Sequence, residues 1–276
     1  MSTARAEEVR YVARIRYGAR PAEALKKSSR ERSSLPEIWS TGVMAIWETD
    51  PEVIAAVLPP PLVPADRPLV RANISGCDIN GYPLGAGAIA VRCKHGDIEG
   101  DYTLTMPMTT ERAVIGGREV FGEPKKLADV KVERDGDSVV ATVNRMGVTY
   151  IEVRGTVGEE LPLPEPRQTL SFYYKFLPAV DGDGFDADPL LVHVTRNERT
   201  RSAHAVTGEV ILRDSDFDPV ADLPVRKLIS ITLSERTSDQ QGFVAERVKA
   251  DLVLPYIHQR YDDVQQITDD PPPATR

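Results

Sequence analysis

Residues 128–157, ADVKVERDGDSVVATVNRMGVTYIEVRGTV, constrain the fold most. β-Branched and polar residues alternate there with a period near two, which suits a half-buried strand and not a helix. Asp135-Gly136-Asp137 interrupts the run with the composition of a tight hairpin turn. Shorter runs of the same kind recur at 40–50, 68–79, 85–95, 100–108, 118–122 (REVFG), 189–200, 203–212, 227–238 and 245–255. Many short strands separated by turn residues predict a mainly β fold, an antiparallel closed barrel or sandwich with a few peripheral helices. One short helix is expected at DPEVIAAV, with Asp50 as N-cap and Pro51 at the first helical position, and LPPPLVP ends it.

The chain has 276 residues, enough for one large domain or two modest ones. Residues 1–36 read as a helical arm and linker, with near-helical apolar spacing over 5–34 broken around Gly18 and Pro21. Residues 37–263 form the β domain, and 264–276, acidic and Pro-rich, read as a disordered tail.

Composition excludes several classes of function. The formal net charge of −8 argues against nucleic acid or an anionic membrane as partner, since both need positive surface. Apolar runs fall short of the roughly 18 residues a spanning helix needs. MSTARAEEVR lacks the apolar stretch of a secretory leader. Two cysteines, Cys77 and Cys93, do not make a disulfide framework, so a cytoplasmic location is expected. The four histidines lack metal-ligand spacing, and neither metal nor organic cofactor is expected.

Against this background GGREVFGEPKKLADV, residues 116–130, stands out. A lysine attacks a ketone only as the neutral amine, whereas an ordinary lysine has a pKa of about 10.4. Burial or a neighbouring cation lowers that value by up to about 5 units. Pro124 stiffens the backbone, and Val120, Phe121 and Leu127 would furnish apolar walls for a desolvated amine, either Lys125 or Lys126. On an extended segment successive side chains point to opposite faces, so only one of the pair enters an interior. On composition alone, a lysine pair reads as a solvated turn.

The segment resembles the signature of the acetoacetate decarboxylase family, GRE followed by PKK. The likeness implies that Lys125 is the Schiff-base nucleophile and Lys126 its neighbour, with Arg118 and Glu119 in the RE positions. PLVRANI at 68–74, which contains Arg71, also resembles the family, as do GDY at 100–102, MG at 146–147, DLPV at 222–225 and ADLVLP at 250–255, in the family's order. The resemblance spans about residues 37–263. It implies a cone-like β-barrel with the lysine inside and a homo-oligomer.

The chain departs from the family's pattern where the substrate carboxylate and protons would be handled. Asn73 stands where a glutamate is expected, and Leu84 fills the slot of a second. Ser40 is the nearest residue to an expected arginine. Glu123 occupies a position that is usually aromatic. A carboxylate two residues before Lys125 on a regular strand faces the same way and would raise the amine's pKa. Either Pro124 kinks the chain and turns Glu123 aside, or Glu123 serves as a local acid and base; the plain alternative is a surface acid or ion pair. Tyr256 would orient a carbonyl or belong to the barrel wall. The expected substrate-binding set is Arg71, Asn73, Arg118, Glu119, Phe121 and Tyr256; the expected catalytic set is Glu123, Lys125 and Lys126. Three activities are compatible with this pattern. The first is decarboxylation of acetoacetate or a related β-keto acid through a lysine iminium. The second is an aldolase–dehydratase that captures pyruvate on the same lysine. The third is a barrel that binds a small molecule without turnover.

Overall fold

The computed structural model describes residues 17–23, 37–79 and 81–262. The chain divides into two units, Met1–Glu37 and Ile38–Arg276. In the first, the described residues comprise a turn at Tyr17–Gly18 and a helical start at 22–23. Most of the helix expected over 5–34, and the whole of the expected tail at 264–276, lie outside the described residues.

The second unit is dominated by strands: β1 (Ser40–Glu48), β2 (Val63–Pro64), β3 (Leu69–Ile79), β4 (Tyr82–His95), β5 (Ile98–Met108), β6 (Lys125–Leu127), β7 (Asp129–Asp135), β8 (Ser138–Arg145), β9 (Val148–Glu160), β10 (Arg167–Lys175), β11 (Leu190–Leu212) and β12 (Lys227–Arg247). Three α-helices accompany them: α1 (Pro51–Val57), α2 (Glu111–Phe121) and α3 (Ala250–Val253). The hydrogen-bonded order is β10-β5-β4-β3-β1-β12-β11-β9-β8-β7, and β10 also pairs with β11. That extra pairing closes seven strands into a ring, from which β9-β8-β7 extends. Most pairings are antiparallel, but β5 runs parallel to both β10 and β6.

Period-two alternation places the core. On β1, Val43, Ala45 and Trp47 are fully buried; Val70, Ala72 and Ile74 of β3 and Val139, Ala141 and Val143 of β8 join them in one cluster. The Trp47 indole N–H donates to the Leu223 carbonyl at 3.0 Å, so a large apolar body is buried without orphaning its polar tip. A smaller cluster forms on the opposite face of the ring strands. It contains Met106 and Met108 of β5, Tyr173 of β10 and Val192 and Val194 of β11, with Ala86, Ala88 and Phe121 packed against them. Residues from β4, β5, β10, β11 and α2 meet there, so this is the ring's inner face.

Four expectations need correction. REVFG ends a helix and is not a strand. Thr110 caps α2 by accepting from the Ala113 amide, and Gly122 closes it with a left-handed φ of 78°. The runs at 189–200 and 203–212 are one 23-residue strand, its polar middle carried through by a register shift between Thr200 and Ser202. The segment 245–255 leaves β12 at Arg247 and becomes helical. Asp50 precedes α1 as expected but makes no side-chain cap. Its carboxylate takes Arg226 instead, at 2.7 Å, because a charged guanidinium is a stronger donor than an amide.

Candidate active site

The geometry starts from β6, three residues long and parallel to β5, with Lys125 opposite Met106 and Lys126 opposite Pro107. Neighbours in register point the same way, so Lys125 shares the inner face with Met106 and Lys126 faces away. The same row continues across the ring: Asn73 lies opposite Ala88 on one side and Met44 on the other. The sequence expectation that one lysine turns inward is thus realised in the backbone.

The Lys125 side chain is 13% exposed, and its ammonium lies 2.9 Å from Oε2 of Glu123, a residue 1% exposed. The other oxygen of Glu123 accepts from Arg196 at 3.0 Å. Arg196 also donates to the Ser171 hydroxyl at 2.9 Å and the Tyr173 hydroxyl at 3.0 Å. Burial pulls the Arg196 guanidinium down, but Tyr173 and Glu123 beside it outweigh that effect and hold it above its ordinary value. Glu123 is thus neither turned aside nor at the surface: it lies between two cations, accepting from Arg196 and making an ion pair, without a hydrogen bond, to Lys125. One of its oxygens is fixed by Arg196, and the other is aimed at Lys125.

The helix is shaped to allow this contact. A Cβ on Gly117 would stand 2.2 Å from Glu123 Oε2 and 2.5 Å from Lys125 Cδ, so only glycine leaves room for the pair beneath α2. Gly122, which turns the chain from α2 toward β6, combines its left-handed φ with backbone contact: a Cβ there would lie 2.6 Å from Lys175 Cα. Arg118 of α2 donates to the carbonyl of Lys125 at 3.1 Å and to that of Arg260 at 3.2 Å. It holds the lysine's backbone, not a ligand.

Lys126 has a different environment. Its ammonium donates to the Phe217 carbonyl at 3.0 Å and lies 3.1 Å from Asp262 and 3.4 Å from Asp218. Arg145 completes the network, reaching Asp218 at 2.9 Å and pairing closely with Asp262. Burial raises the Asp262 carboxyl, but Arg145 and Lys126 together hold it below its ordinary range. Two carboxylates thus face two cations around Lys126.

The other anticipated residues are dispersed. Arg71 lies on the Asn73 face and pairs with Asp101 at 2.6 Å. The Asn73 amide oxygen accepts from Arg236. Phe121 covers Gly242 and joins the inner cluster. Val120 and Leu127, expected as walls, are 56% and 53% exposed; Met106, Ala88 and Val194 line the inner face instead. Glu119 is exposed on the outer side of α2. Tyr256 faces a cavity of about 20 Å³ shared with Tyr102, Tyr174 and Gln259, and no hydrogen bond joins it to Lys125. Arg196, Arg236, Arg145, Asp218 and Asp262 went unnoticed in the sequence. The alternation Val192, Val194, Arg196, Glu198 on one face of β11 was the available signal for the first of them. Among the described residues no group of three or more histidines, cysteines and acids could hold a metal, and no helix is long and apolar enough to cross a membrane.

Comparison with known proteins places the chain in a family. The family model for acetoacetate decarboxylase covers residues 22–247. The chain belongs to the acetoacetate decarboxylase family. The acetoacetate decarboxylase of Burkholderia vietnamiensis is 31% identical over 198 residues, covering 68% of this chain and 78% of that protein. The crystal structure of acetoacetate decarboxylase from Legionella pneumophila superposes with a TM-score of 0.67 at 20% identity, over 76% of this chain and 86% of that one. The enduracididine biosynthesis enzyme MppR, complexed with the condensation product of pyruvate and imidazole 4-carboxaldehyde, gives 0.62 at 15% identity, over 76% of this chain and 90% of that one. The two structures establish shared fold alone. Acetoacetate decarboxylase is a carboxy-lyase, and this chain is an enzyme of that family.

Proposed function

We propose that the protein decarboxylates a β-keto acid through an iminium on Lys125. The observation that carries this reading is the 2.9 Å contact between Lys125 Nζ and Glu123 Oε2, on the inner face of the ring and beneath a helix with glycine at the point of approach. Glu123 takes the ammonium proton, and the free amine attacks the ketone; a C=N bond forms and water leaves. The bond from the α carbon to the carboxylate then breaks. Its electron pair enters the enamine, and CO2 departs. In this reading Glu123, beside Lys125 Nζ, returns the proton to the enamine carbon. Water hydrolyses the iminium, freeing the ketone and regenerating the amine. Lys125 supplies the electron sink, so a cofactor is not required by this sequence of steps. Function as a homo-oligomer in the cytoplasm accompanies this reading.

A second reading, the pyruvate aldolase–dehydratase, is favoured by one observation: Asn73 and Leu84 occupy positions where the family's carboxylates are expected. The pyruvate condensation product held by MppR, a protein of the same fold, is consistent with it. Incubation with acetoacetate or with pyruvate, followed by borohydride and peptide mapping, tests both. An adduct on Lys125 that is lost in Lys125→Ala supports the lysine chemistry. Release of CO2 without aldehyde then assigns decarboxylation, and aldehyde consumption assigns condensation. No adduct with any keto acid overturns both readings and leaves a barrel that only binds.

A further inference from the structure

The inner face holds more positive charge than the lysine chemistry uses. Among the described residues three of its carboxylates each face at least two cations, and a fourth, the more exposed Glu99, lies 3.6 Å from Arg92. Lys125 and Arg196 flank Glu123, and Arg71 and Arg92 flank Asp101 at 2.6 and 3.1 Å. Glu198 accepts from Arg167 at 3.4 Å and lies within electrostatic range of both Arg196 and Arg236. Arg236 is the least compensated of these cations. Its hydrogen-bonding partner is the neutral amide of Asn73, and its other near neighbours include two further guanidinium groups, Arg71 and Arg167. Burial, opposed by Glu198 and reinforced by Arg71 and Arg167, drags Arg236 below its ordinary value, whereas Arg196 is held above. A half-buried guanidinium with no carboxylate of its own is costly unless an anion arrives to complete it.

Its location is specific. On β12, Arg236 stands directly across from Ser40 of β1. Two strands, β5 and β4, lie between Lys125 and Asn73 in the shared row, three spacings of ~4.8 Å or about 14 Å along a flat sheet, and less across a closed ring. Two long side chains reaching inward from such positions can hold the two ends of one small molecule.

We propose that Arg236, backed by Arg71, is the receptor for a second carboxylate, so that the substrate is a keto acid bearing another carboxylate at the end remote from its ketone. The keto end of this assignment rests on the Lys125 reading above; the anion receptor does not. The second carboxylate is retained through the reaction, with bonds made and broken only at the iminium.

Calorimetric titration with glutarate and with butyrate, neither of which forms an imine, tests the receptor alone. Wild-type protein is expected to bind glutarate at least about tenfold more tightly than butyrate, the scale of one charge-assisted contact. Arg236→Met should collapse that preference, and Arg236→Lys should restore part of it. Asn73→Glu, which supplies an internal carboxylate to Arg236, should collapse it by a different route should the methionine variant fold poorly. Equal binding of the two acids by wild type, or a preference that survives both Arg236→Met and Asn73→Glu, overturns the inference. Borohydride trapping with 3-oxoglutarate and acetoacetate separates the two claims. Glutarate preference without any Lys125 adduct removes the imine chemistry and keeps the receptor. An acetoacetate adduct with no preference for diacids does the reverse.

Discussion

Lys125 and Lys126 are adjacent in the chain, yet they meet opposite electrostatic environments. Lys126 lies in a closed network in which Arg145, Asp218 and Asp262 balance its charge. Lys125 lies on a face where cations outnumber carboxylates and where its one carboxylate is shared with Arg196. The difference teaches what a three-residue strand can do: β6 turns one ammonium toward the inner face and the next into a closed ion-pair network, with period-two geometry as the cause. It also separates the two lysines as causes of activation. Lys126 is held by carboxylates on the far side of β6, and the acceptor proposed for the Lys125 proton, Glu123, lies on the Lys125 side.

The largest effect that would break this comparison is on turnover. Glu123→Gln keeps the shape of the side chain and removes the proton acceptor, and turnover is expected to fall about 10²- to 10⁴-fold, the usual contribution of a positioned acid–base group. Undiminished turnover of a β-keto acid by the glutamine variant would show that the proton leaves Lys125 by another route. The other face should answer in stability. Lys126→Ala strands two carboxylates on the single guanidinium of Arg145, a loss on the order of 3–5 kcal/mol for breaking a buried network, or a fall in Tm of about 10 °C. A thermal melt within about 2 °C of wild type would contradict the structural assignment.

Gly117→Ala sharpens the comparison, because it separates the two readouts. Alanine is favoured over glycine in a helix interior by up to about 1 kcal/mol, so α2 itself gains. The new methyl would nonetheless overlap Glu123 Oε2 and the Lys125 side chain, at 2.2 and 2.5 Å, and both of these are side-chain atoms that can move aside. Thermal stability should therefore change by no more than a few degrees, while the rate of borohydride trapping falls about 10- to 100-fold through misplacement of the reacting pair. A large loss of stability with trapping intact would mean that the glycine serves packing and not the site.

Much of this organisation could be read along the chain, and the exceptions share one cause. Period-two alternation located most strands, the Asp135–Asp137 turn joins β7 to β8, and adjacent positions placed the two lysines on opposite faces. REVFG failed because five residues with Val and Phe carry no period; the signal lay outside it, in Thr110 before the helix and Gly122 after it. The runs at 189–200 and 203–212 read as two because Arg201 and Ser202 interrupt them, yet one strand continues across with a register shift. The site's partners were the least legible part. Arg196 is 73 residues from Glu123, Arg236 is 163 from Asn73, and Asp262 is 117 from Arg145. Only strand order and register bring them together.

The smallest expected effect concerns how the Lys126 network responds to pH. Asp262 has a folded-state pKa below the 3.8 of an ordinary aspartate: burial raises it, and Arg145 and Lys126 more than reverse that. A depressed carboxylate contributes stability that is complete above its unfolded value and is lost as pH falls through the lower folded value. Asp262→Asn should therefore lower stability by about 1–2 kcal/mol near pH 7, where Asp218 still compensates both cations. The gap between variant and wild type should begin to narrow as pH drops through the unfolded value near 4 and close only below the lower folded value, where the wild-type side chain is neutral as well. Urea titrations of both proteins at pH 7, 5 and 3.5 measure that gap directly. A gap that stays constant across the series would mean that Asp262 acts by shape and hydrogen bonding and not by charge, and the contrast between the two sides of β6 would lose its electrostatic basis.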